Sequence, residues 1–398
     1  MTAKRGGELR FIAGSSAKLA GMILESVTAE NFRNLSGSVH CGHGLNILIG
    51  LNGQGKTNWL EAINVLATAR SFRTARLQEA VRFGEDSAAV AGRVLRSEQV
   101  SRDLRVAIGG RAKSLFVNGK QETARGYLNQ LHSVVFNSDE LEVVRGQPEA
   151  RRRFLDESIV SIHPPYIQTV IDYARVIKQK NALLQSIQDR GTSGESSAAQ
   201  IETWNEQLVR LASRIHRSRL RYVERLNDVL ARQLFGPESV SIRYESSLEP
   251  HGDLSEYDAL LDERLKVRFQ AEVAAGYSLI GPHRDDLELL LEDRNVRKYG
   301  SAGQQRSILL LIQLANLEVY FSQNGEYPLF LIDDIDAELD HERIKSLLDH
   351  LAGRTQTVVT TSKESFVAEF GQNAAIFDVF AGCAKPREGA CETAVPAV

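Results

Sequence analysis

Residues 50–57, which read GLNGQGKT, constrain the fold of this chain more than any other stretch. They fit the pattern G-x-x-x-x-G-K-[ST], in which backbone N–H groups and one lysine surround the phosphates of a nucleotide triphosphate. An apolar run at 45–49 suits a buried strand, and 59–66 has helical character. Strand, glycine loop and helix is the order that phosphate binding requires. We therefore predict an α/β fold with an ATP site; a chance glycine turn before a helix is the alternative.

Each residue of this loop has a predicted role in nucleotide binding. Lys56 is expected to reach the β- and γ-phosphates, and the Thr57 hydroxyl is expected to ligate Mg²⁺. The other predicted ATP contacts of the loop are Gly50, Asn52, Gly53, Gln54, Gly55 and Asn58.

A second half of the site is predicted far downstream, where the apolar run 329–332 ends in Asp333 and Asp334. A buried parallel strand would deliver Asp333 to the Mg²⁺ ion, in the form of a Walker B strand. Asp334 would then lie beside the γ-phosphate, where a carboxylate can polarise the attacking water. Both are predicted catalytic residues, and Asp333 is also a predicted metal ligand. Two solvated acids after a strand are the alternative, which the upstream P-loop disfavours.

The third element is the segment 300–306, GSAGQQR, followed by an apolar helical run. It resembles the L-S-G-G-Q signature of ABC ATPases, which binds the γ-phosphate held by the opposite subunit. Ser301, Gly303 and Gln304 are therefore predicted to contact ATP in trans, which implies a head-to-tail homodimer around the nucleotide. A simple helix N-cap by Ser301 is the alternative. Residues 337–340 follow as a D-loop, and no histidine stands at 360–362, where many ABC ATPases have one.

The length and periodicity of the chain predict two lobes. Residues 22–144 read as strands and turns around the P-loop helix, with an Asn118-Gly119 hairpin corner. Heptad-like apolar spacing predicts a helical hairpin within 145–276, with 191–197 as a flexible connector. The ATPase lobe resumes over 277–380 with the signature, Walker B and D-loop. The remaining segments are 1–21, an extension before the candidate start Met22, and a disordered tail at 381–398.

Composition narrows the class of protein. No apolar run reaches membrane-spanning length, which argues against a fused transporter and a membrane partner. Three cysteines show no metal-ligand spacing and, being odd in number, give no disulfide framework. We therefore expect a cytoplasmic protein.

Local basic charge suggests a DNA-binding surface. The helical region is net basic although the whole chain carries a formal charge of −3, and part of its arginines fall on one helical stripe, suited to tracking a phosphate backbone. A solvated helix face balanced by acidic neighbours is the alternative. The predicted DNA contacts are Arg70, Arg73, Arg76, Arg151, Arg152, Arg214, Arg217 and Arg221.

These motifs together resemble the RecF family of bacterial recombination and repair ATPases, which are related to the heads of SMC proteins. The resemblance covers residues 22–375 and rests on NFRNL, the P-loop, RSFR, RRRFLD, IGPHRDDL, SAGQQ and the Asp333-Asp334 pair. It implies an ABC/SMC-type P-loop ATPase head with an inserted helical-hairpin lobe. Two departures are Ala302 in the signature and the sequence FNSDEL at 136–141, which lacks the proline expected there.

The resemblance also implies a function. The chain would dimerise around ATP and Mg²⁺ on double-stranded and gapped DNA and, with RecO and RecR, help load RecA. Slow, DNA-dependent ATP hydrolysis would act as a switch, without nuclease or helicase activity. The alternatives are an SMC-like or ABC-type ATPase acting on a protein partner, and a small-molecule kinase. The cluster His283, Arg284, Asp285 and Asp286 lacks the ligand count for zinc and is expected to be structural.

Overall fold

Two six-stranded sheets, a three-stranded sheet and a long helical hairpin make up the protein. The computed structural model describes residues 21–97, 100–110, 112–190, 195–233 and 238–387. No helix within these ranges is long and apolar enough to cross a membrane.

The elements are numbered in chain order. The strands are β1 (Ile23–Glu30), β2 (Gly37–His40), β3 (Leu45–Ile49), β4 (Ser87–Ser97), β5 (Val100–Gly109), β6 (Ala112–Val117), β7 (Lys120–Glu122), β8 (Ser133–Phe136), β9 (Val240–Glu245), β10 (Asp286–Leu291), β11 (Arg294–Asn295), β12 (Leu329–Ile332), β13 (Thr357–Thr361), β14 (Ala375–Phe380) and β15 (Cys383–Pro386). The helices are α1 (Lys56–Thr68), α2 (Ala124–Tyr127), α3 (Glu142–Arg145), α4 (Pro148–Ile162), α5 (Tyr166–Arg190), α6 (Glu195–Leu230), α7 (Tyr257–Val267), α8 (Phe269–Ala275), α9 (Val296–Tyr299), α10 (Ala302–Asn324), α11 (Ile335–Glu338), α12 (His341–Leu351) and α13 (Glu364–Phe370).

The central sheet has the order β15-β14-β3-β13-β12-β8 and is parallel apart from β15. Its strands β12 and β13 are buried at every residue and β3 at all but the first, because helices or the second sheet cover both faces. Parallel strands end at the same edge of a sheet. The P-loop after β3, the acids after β12 and the threonines of β13 therefore share that edge.

Helix α1 lies between the central sheet and the antiparallel sheet β2-β1-β4-β5-β6-β7. Trp59 and Leu66 of α1 are buried in one core with Leu331 of the central sheet and Val94 of the antiparallel sheet. The predicted Asn118-Gly119 corner is confirmed: Val117 pairs with Lys120, and both corner residues have positive φ, 49° and 75°. This φ pair is the reason for the Asn-Gly sequence.

The predicted helical hairpin is confirmed as α5 and α6, which run for 25 and 36 residues. Apolar side chains spaced three and four apart, such as Leu208, Ala212 and Ile215, are buried along α6. The predicted connector 191–197 lies only partly within the described residues. Residues 191–194 lie outside the described residues, and α6 already begins at Glu195.

The structure changes two predicted boundaries. β9 pairs with β10 in the sheet β11-β10-β9, so residues on both sides of the boundary at 276/277 share one sheet. The predicted disordered tail begins too early, because Cys383–Pro386 pairs with β14 as β15; residues 388–398 lie outside the described residues. Residues 1–20, which make up most of the predicted extension, also lie outside the described residues. Gly21 forms a β-bridge with Tyr327.

Candidate nucleotide-binding site and basic surface

The P-loop links β3 to α1 in the predicted order, and its glycines take conformations that other residues avoid. Gly53 and Gly55 have φ of 81° and 110°. A Cβ on Gly50 would come within 2.4 Å of the Val379 carbonyl oxygen, so only glycine fits against the neighbouring strand. The N-terminus of α1 begins at Lys56 without a side-chain cap. Its free backbone N–H groups therefore remain available to an anion.

Lys56 is buried and folded back over the loop. Its ammonium donates to the carbonyl oxygens of Gly50 and Leu51 at 2.9 and 3.2 Å, and lies 3.4 Å from Asn52 Oδ1. Three acceptors satisfy the charge, and all belong to the loop that is predicted to hold phosphate. A phosphate group entering the loop would offer charged oxygens in exchange for these neutral ones.

Thr57 and Asp333 meet across the central sheet. The Thr57 hydroxyl lies 3.0 and 2.9 Å from the two carboxylate oxygens of Asp333, although 276 residues separate them. Thr360 of β13 donates to Asp333 Oδ1 at 2.6 Å. The structure therefore brings the two predicted metal ligands together, and it adds Thr360, whose role the sequence analysis missed.

Burial raises the pKa of Asp333 and the neighbouring Asp334 carboxylate raises it further, while hydrogen bonds from Thr360 and Thr57 and the charge of Lys56 lower it; the net shift is upward. A carboxylate in this position is short of positive charge. Hydroxyl and carboxylate oxygens are the ligands that Mg²⁺ prefers, and it is usually held by one or two protein groups plus substrate phosphates. Thr57 and Asp333 fit that ion.

Asp334 has a left-handed backbone conformation, with φ 47° and ψ 50°. Its N–H donates to Thr360 Oγ1 at 2.7 Å, which anchors the turn after β12. A non-glycine residue held in this region is typical of functional sites. The turn sets Asp334 apart from the extended strand that carries Asp333.

Gln54 ties the P-loop to the turn between β14 and β15. Its carbonyl oxygen accepts from Gly382 N–H at 2.8 Å, and its side-chain oxygen accepts from Ala381 N–H at 2.8 Å. Asn58, another predicted contact, instead donates to Asn34 Oδ1 at 2.7 Å. These two polar side chains therefore brace the loop from outside.

Glu61 of α1 is a buried carboxylate that binds side chains from the loop after β1 and from the loop after α1. Arg33 donates to both of its oxygens, at 3.0 and 2.8 Å, and Ser71 donates at 2.5 Å. Arg73 lies 3.8 Å away and donates to Asn58 at 2.8 Å. Glu61 is not among the predicted site residues, because a single acid on an apolar helix matches no motif.

The signature segment forms the exposed start of α10. Ser301 caps the helix by accepting from Gln304 N–H at 3.2 Å, and the Gln304 side chain accepts from Ser301 N–H at 2.8 Å. Nothing lies within 4 Å of a Cβ placed on Gly303. Within the described part of one chain, no hydrogen bond joins residues 301–304 to the P-loop. Ser301 therefore does cap α10, the helix end is open to solvent, and the contact of Ser301, Gly303 and Gln304 with ATP in trans stays a prediction.

The arginines of RRRFLD hold the helical lobe to β10. Arg151 is 2% exposed and makes a two-bond ion pair with Asp286 at 2.6 and 2.9 Å. Arg152 donates to the Asp285 carbonyl oxygen at 2.7 Å. The prediction that Arg151 contacts DNA is therefore corrected, because its guanidinium is buried and paired with Asp286. Arg152 is half-buried.

His283 and Asp285 of the segment 283–286 make internal hydrogen bonds, which supports the expected structural role. Asp285 is fully buried and accepts from Ser247 N–H and the Tyr244 hydroxyl, while His283 Nδ1 lies 2.7 Å from the Tyr173 hydroxyl. Burial lowers the pKa of His283 to about 4, so the imidazole is neutral at physiological pH. No group of metal-ligating side chains occurs among the described residues.

The other predicted DNA contacts are exposed. Arg214, Arg217 and Arg221 project from one side of α6, and Arg217 lies 3.7 Å from Asp258. Arg70, Arg73 and Arg76 follow α1, with Arg70 paired to Glu157 of α4 at 2.6 Å. An exposed ion pair of this kind is weak and can be exchanged for phosphate.

A P-loop beside a Walker B acid, with a signature helix and an inserted helical lobe, defines an ABC/SMC-type ATPase head. Consistent with this class, the family described as "RecF/RecN/SMC N terminal domain" matches residues 23–385.

Individual relatives narrow the class. DNA replication and repair protein RecF of Geobacillus kaustophilus (strain HTA426) is 36% identical over 370 residues, covering 91% of this chain and 98% of the relative. RecF of Synechococcus sp. (strain JA-3-3Ab) is 41% identical, covering 85% and 91%. A solved structure of the recombination mediator protein RecF with ATP, in the RecFOR pathway, has a TM-score of 0.85 and 28% identity, covering 94% of this chain and all of that one. The chain belongs to the RecF family.

Proposed function

We propose that this protein is an ATP-dependent DNA-binding switch of recombinational repair and replication. The observation that carries the proposal is the contact of Thr57 with Asp333 at the mouth of the P-loop, together with the exposed signature helix on the same chain. Residues 50–58 would hold the phosphates of ATP, and Thr57 and Asp333 would hold Mg²⁺. When bound, Mg²⁺ supplies positive charge to the phosphate oxygens.

The chain's own residues then have distinct tasks. Lys56 exchanges its carbonyl partners for β- and γ-phosphate oxygens. Asp334, displaced from the strand by its left-handed backbone, orients and deprotonates the attacking water as general base. Ser301 and the Gly303 N–H of a second protomer contact the γ-phosphate, so that two chains enclose two ATP molecules. Loss of the γ-phosphate removes the contact and opens the dimer.

The DNA would lie against the exposed arginines Arg214, Arg217 and Arg221 of α6, with Arg70, Arg73 and Arg76 as a second cluster and Arg152 as a partly accessible neighbour. These contacts are to the phosphate backbone and carry no base specificity. The dimer would act in the cytoplasm at gaps in double-stranded DNA, with RecO and RecR, to help load RecA. Hydrolysis is slow and resets the switch.

The test is fluorescence-anisotropy binding of a gapped duplex without nucleotide, with ATP and with ADP. We expect ATP to tighten binding about tenfold relative to ADP, the ordinary size of a ligand-induced coupling. Asp334→Asn should keep the ATP-dependent affinity and slow DNA release, because it retains the shape of the side chain and loses the base. Asp349→Asn, an exposed acid on α12, is the matched control and should behave as the unmodified protein.

Equal weak binding in every nucleotide state, with ATP-dependent dimers still forming, would contradict a DNA role and favour a protein partner. One observation supports that second candidate. The Phe83 side chain is fully exposed on a turn whose neighbours are anchored: Arg82 N–H donates to Asn31 O at 2.8 Å, and Glu85 N–H to Arg82 O at 3.0 Å. A rigidly held exposed aromatic is a typical anchor for a protein pocket.

A further inference from the structure

Three large apolar side chains are exposed at the two complementary halves of the proposed ATP site. Leu51 of the P-loop is 74% exposed, Phe380 beside it is 75% exposed, and Tyr299 just before the signature is 75% exposed. Contiguous exposed apolar patches, unlike single exposed apolar side chains, mark interaction sites. The placement of the three side chains at both halves calls for one explanation.

Leu51 lies just after β3 and Phe380 lies at the end of the neighbouring strand β14; the two side chains are here termed the P-loop spot. β14 pairs with β3 in parallel, with Asp378 opposite Ile49, and continuing that register places Phe380 alongside Leu51. The turn after Phe380 is held by the two hydrogen bonds to Gln54. The spot is therefore rigid, and little conformational entropy is lost when a partner covers it.

Tyr299 is held just as firmly at the other half. It ends α9, whose first residue, Val296, is buried and whose N-cap, Asn295, accepts from Lys298 N–H at 3.1 Å. Gly300 N–H donates to the Val296 carbonyl oxygen at 2.8 Å, and a Cβ on Gly300 would come within 2.6 Å of that oxygen. This tight turn places Tyr299 two residues from Ser301.

We propose that Tyr299 packs on the P-loop spot of a second copy of this chain. The inference rests on the proposed function, in which the signature of one protomer faces the P-loop of the other. In a two-fold dimer each contact occurs twice, since residue i of one chain meets residue j of the other and the reverse. Two Tyr299 side chains and two P-loop spots are thereby buried.

The contact has a chemical role besides adhesion. Apolar side chains around a polar centre exclude water, and hydrogen bonds to the γ-phosphate strengthen when water is excluded. Phe380→Ala or Tyr299→Ala should raise the dissociation constant of the ATP-bound dimer about tenfold, because a buried aromatic anchor is lost at two symmetric places. ATP affinity of the monomer should change less than about twofold, since neither side chain is needed to hold phosphate.

Disulfide trapping tests the contact directly. Two variants, Tyr299→Cys and Phe380→Cys, are made in an Asp334→Asn background that lacks the native thiols (Cys41→Ala, Cys383→Ser, Cys391→Ser). Cys383 pairs with Phe380 across the β14–β15 turn, and the other two thiols could also form disulfides. Mixing the two variants with ATP should give a disulfide-linked dimer, whereas either variant alone, or the mixture with ADP, should not.

The outcomes separate the two levels of the proposal. If light scattering finds no ATP-dependent dimer of the unmodified protein, the proposed function itself is wrong. If dimers form but the mixed variants fail to crosslink, and Phe380→Ala and Tyr299→Ala dimerise normally, the packing contact is wrong and the function stands. Crosslinking by a single variant as strong as that of the mixture also contradicts this pairing.

Discussion

Asp333 is a buried carboxylate with too little positive charge around it, as its raised pKa indicates. Its carboxylate receives hydrogen bonds from two threonine hydroxyls, yet burial and the adjacent Asp334 still raise its pKa. Hydroxyl donors alone do not compensate for the loss of water around a charge. The residue is therefore suited to gaining a cation and unfavourable without one.

We expect Asp333→Asn to stabilise the nucleotide-free protein and to impair nucleotide binding. Removing the buried charge should raise the unfolding midpoint in EDTA by about 2 °C. Affinity for ATP with Mg²⁺ should fall at least about tenfold, the effect of losing a charged ligand. Differential scanning fluorimetry and calorimetric titration measure the two effects, and Asp349→Asn should change neither.

The same substitution has a predicted pH dependence. Because the pKa of Asp333 is raised in the folded state, the folded protein retains a proton that the unfolded chain has released. The unmodified protein thus loses stability as pH rises through the folded pKa. The advantage of Asp333→Asn in EDTA should grow as the pH rises from about 4, the ordinary pKa of an aspartate, through the raised pKa of the folded state. An advantage that shrinks over this range would contradict the assignment.

At the scale of elements, the turn between β14 and β15 is packed directly onto the motif loops. Gly382 has φ of 82°, and a Cβ there would lie 1.9 Å from the Asn34 carbonyl oxygen. Gly382 also donates to Gln54. One glycine thus joins the last strand pair to the P-loop and to the loop after β1.

Gly382→Ala should destabilise the protein more than Gly325→Ala, which tests backbone strain alone. Gly325 has φ of 71° with nothing within 4 Å of an added Cβ, so its substitution should cost about 1 kcal/mol. Gly382→Ala should exceed that by several kcal/mol, because the turn must move. It should also weaken ATP binding by loosening Gln54. Equal thermal shifts for the two variants would show that the close contact is unimportant.

Elements with local signals could be predicted from the sequence, and elements set by distant contacts could not. The P-loop, α5, α6 and the Asn118-Gly119 corner each follow from neighbouring residues. The pairing of β9 with β10 joins residues about forty to fifty positions apart, so no local signal indicates it. The predicted boundary at 276/277 therefore separates two strands of one sheet. Arg151 looked like part of a basic patch because its partner, Asp286, lies 135 residues away. The Thr57–Asp333 contact was predictable only through motif spacing.

At the scale of the whole molecule, arginine is divided between two uses. Arg151 and Arg219 are enclosed, paired with Asp286 and Asp156, and hold the helical lobe together. The arginines on the outer side of α6 remain in solvent. A net charge of −3 therefore conceals a basic surface on one lobe.

This division predicts opposite behaviour of two arginine variants. Arg214→Ala should leave the unfolding midpoint unchanged and reduce the slope of log K for DNA against log salt by about 0.9, the loss of one phosphate contact. Arg151→Ala should instead destabilise folding by about 3–5 kcal/mol, because it leaves Asp286 without its partner. Arg93→Ala, on the antiparallel sheet, is the control for DNA binding. An unchanged salt slope for Arg214→Ala would remove α6 from the DNA surface.

The central sheet also determines when the site can exist during synthesis. Its strands come from residues 45 to 386 of the chain, so the strand that carries the P-loop has no parallel neighbour on either side until β13 and β14 have been made. The α5–α6 hairpin, in contrast, is made much earlier, and its two helices contact each other directly, although α6 also packs on the later helix α10. Local contacts form fast and distant strand pairings form slowly. We therefore expect the helical hairpin to fold before the nucleotide site on the ribosome, and a chain that stops before β14 to have the P-loop sequence without the folded site.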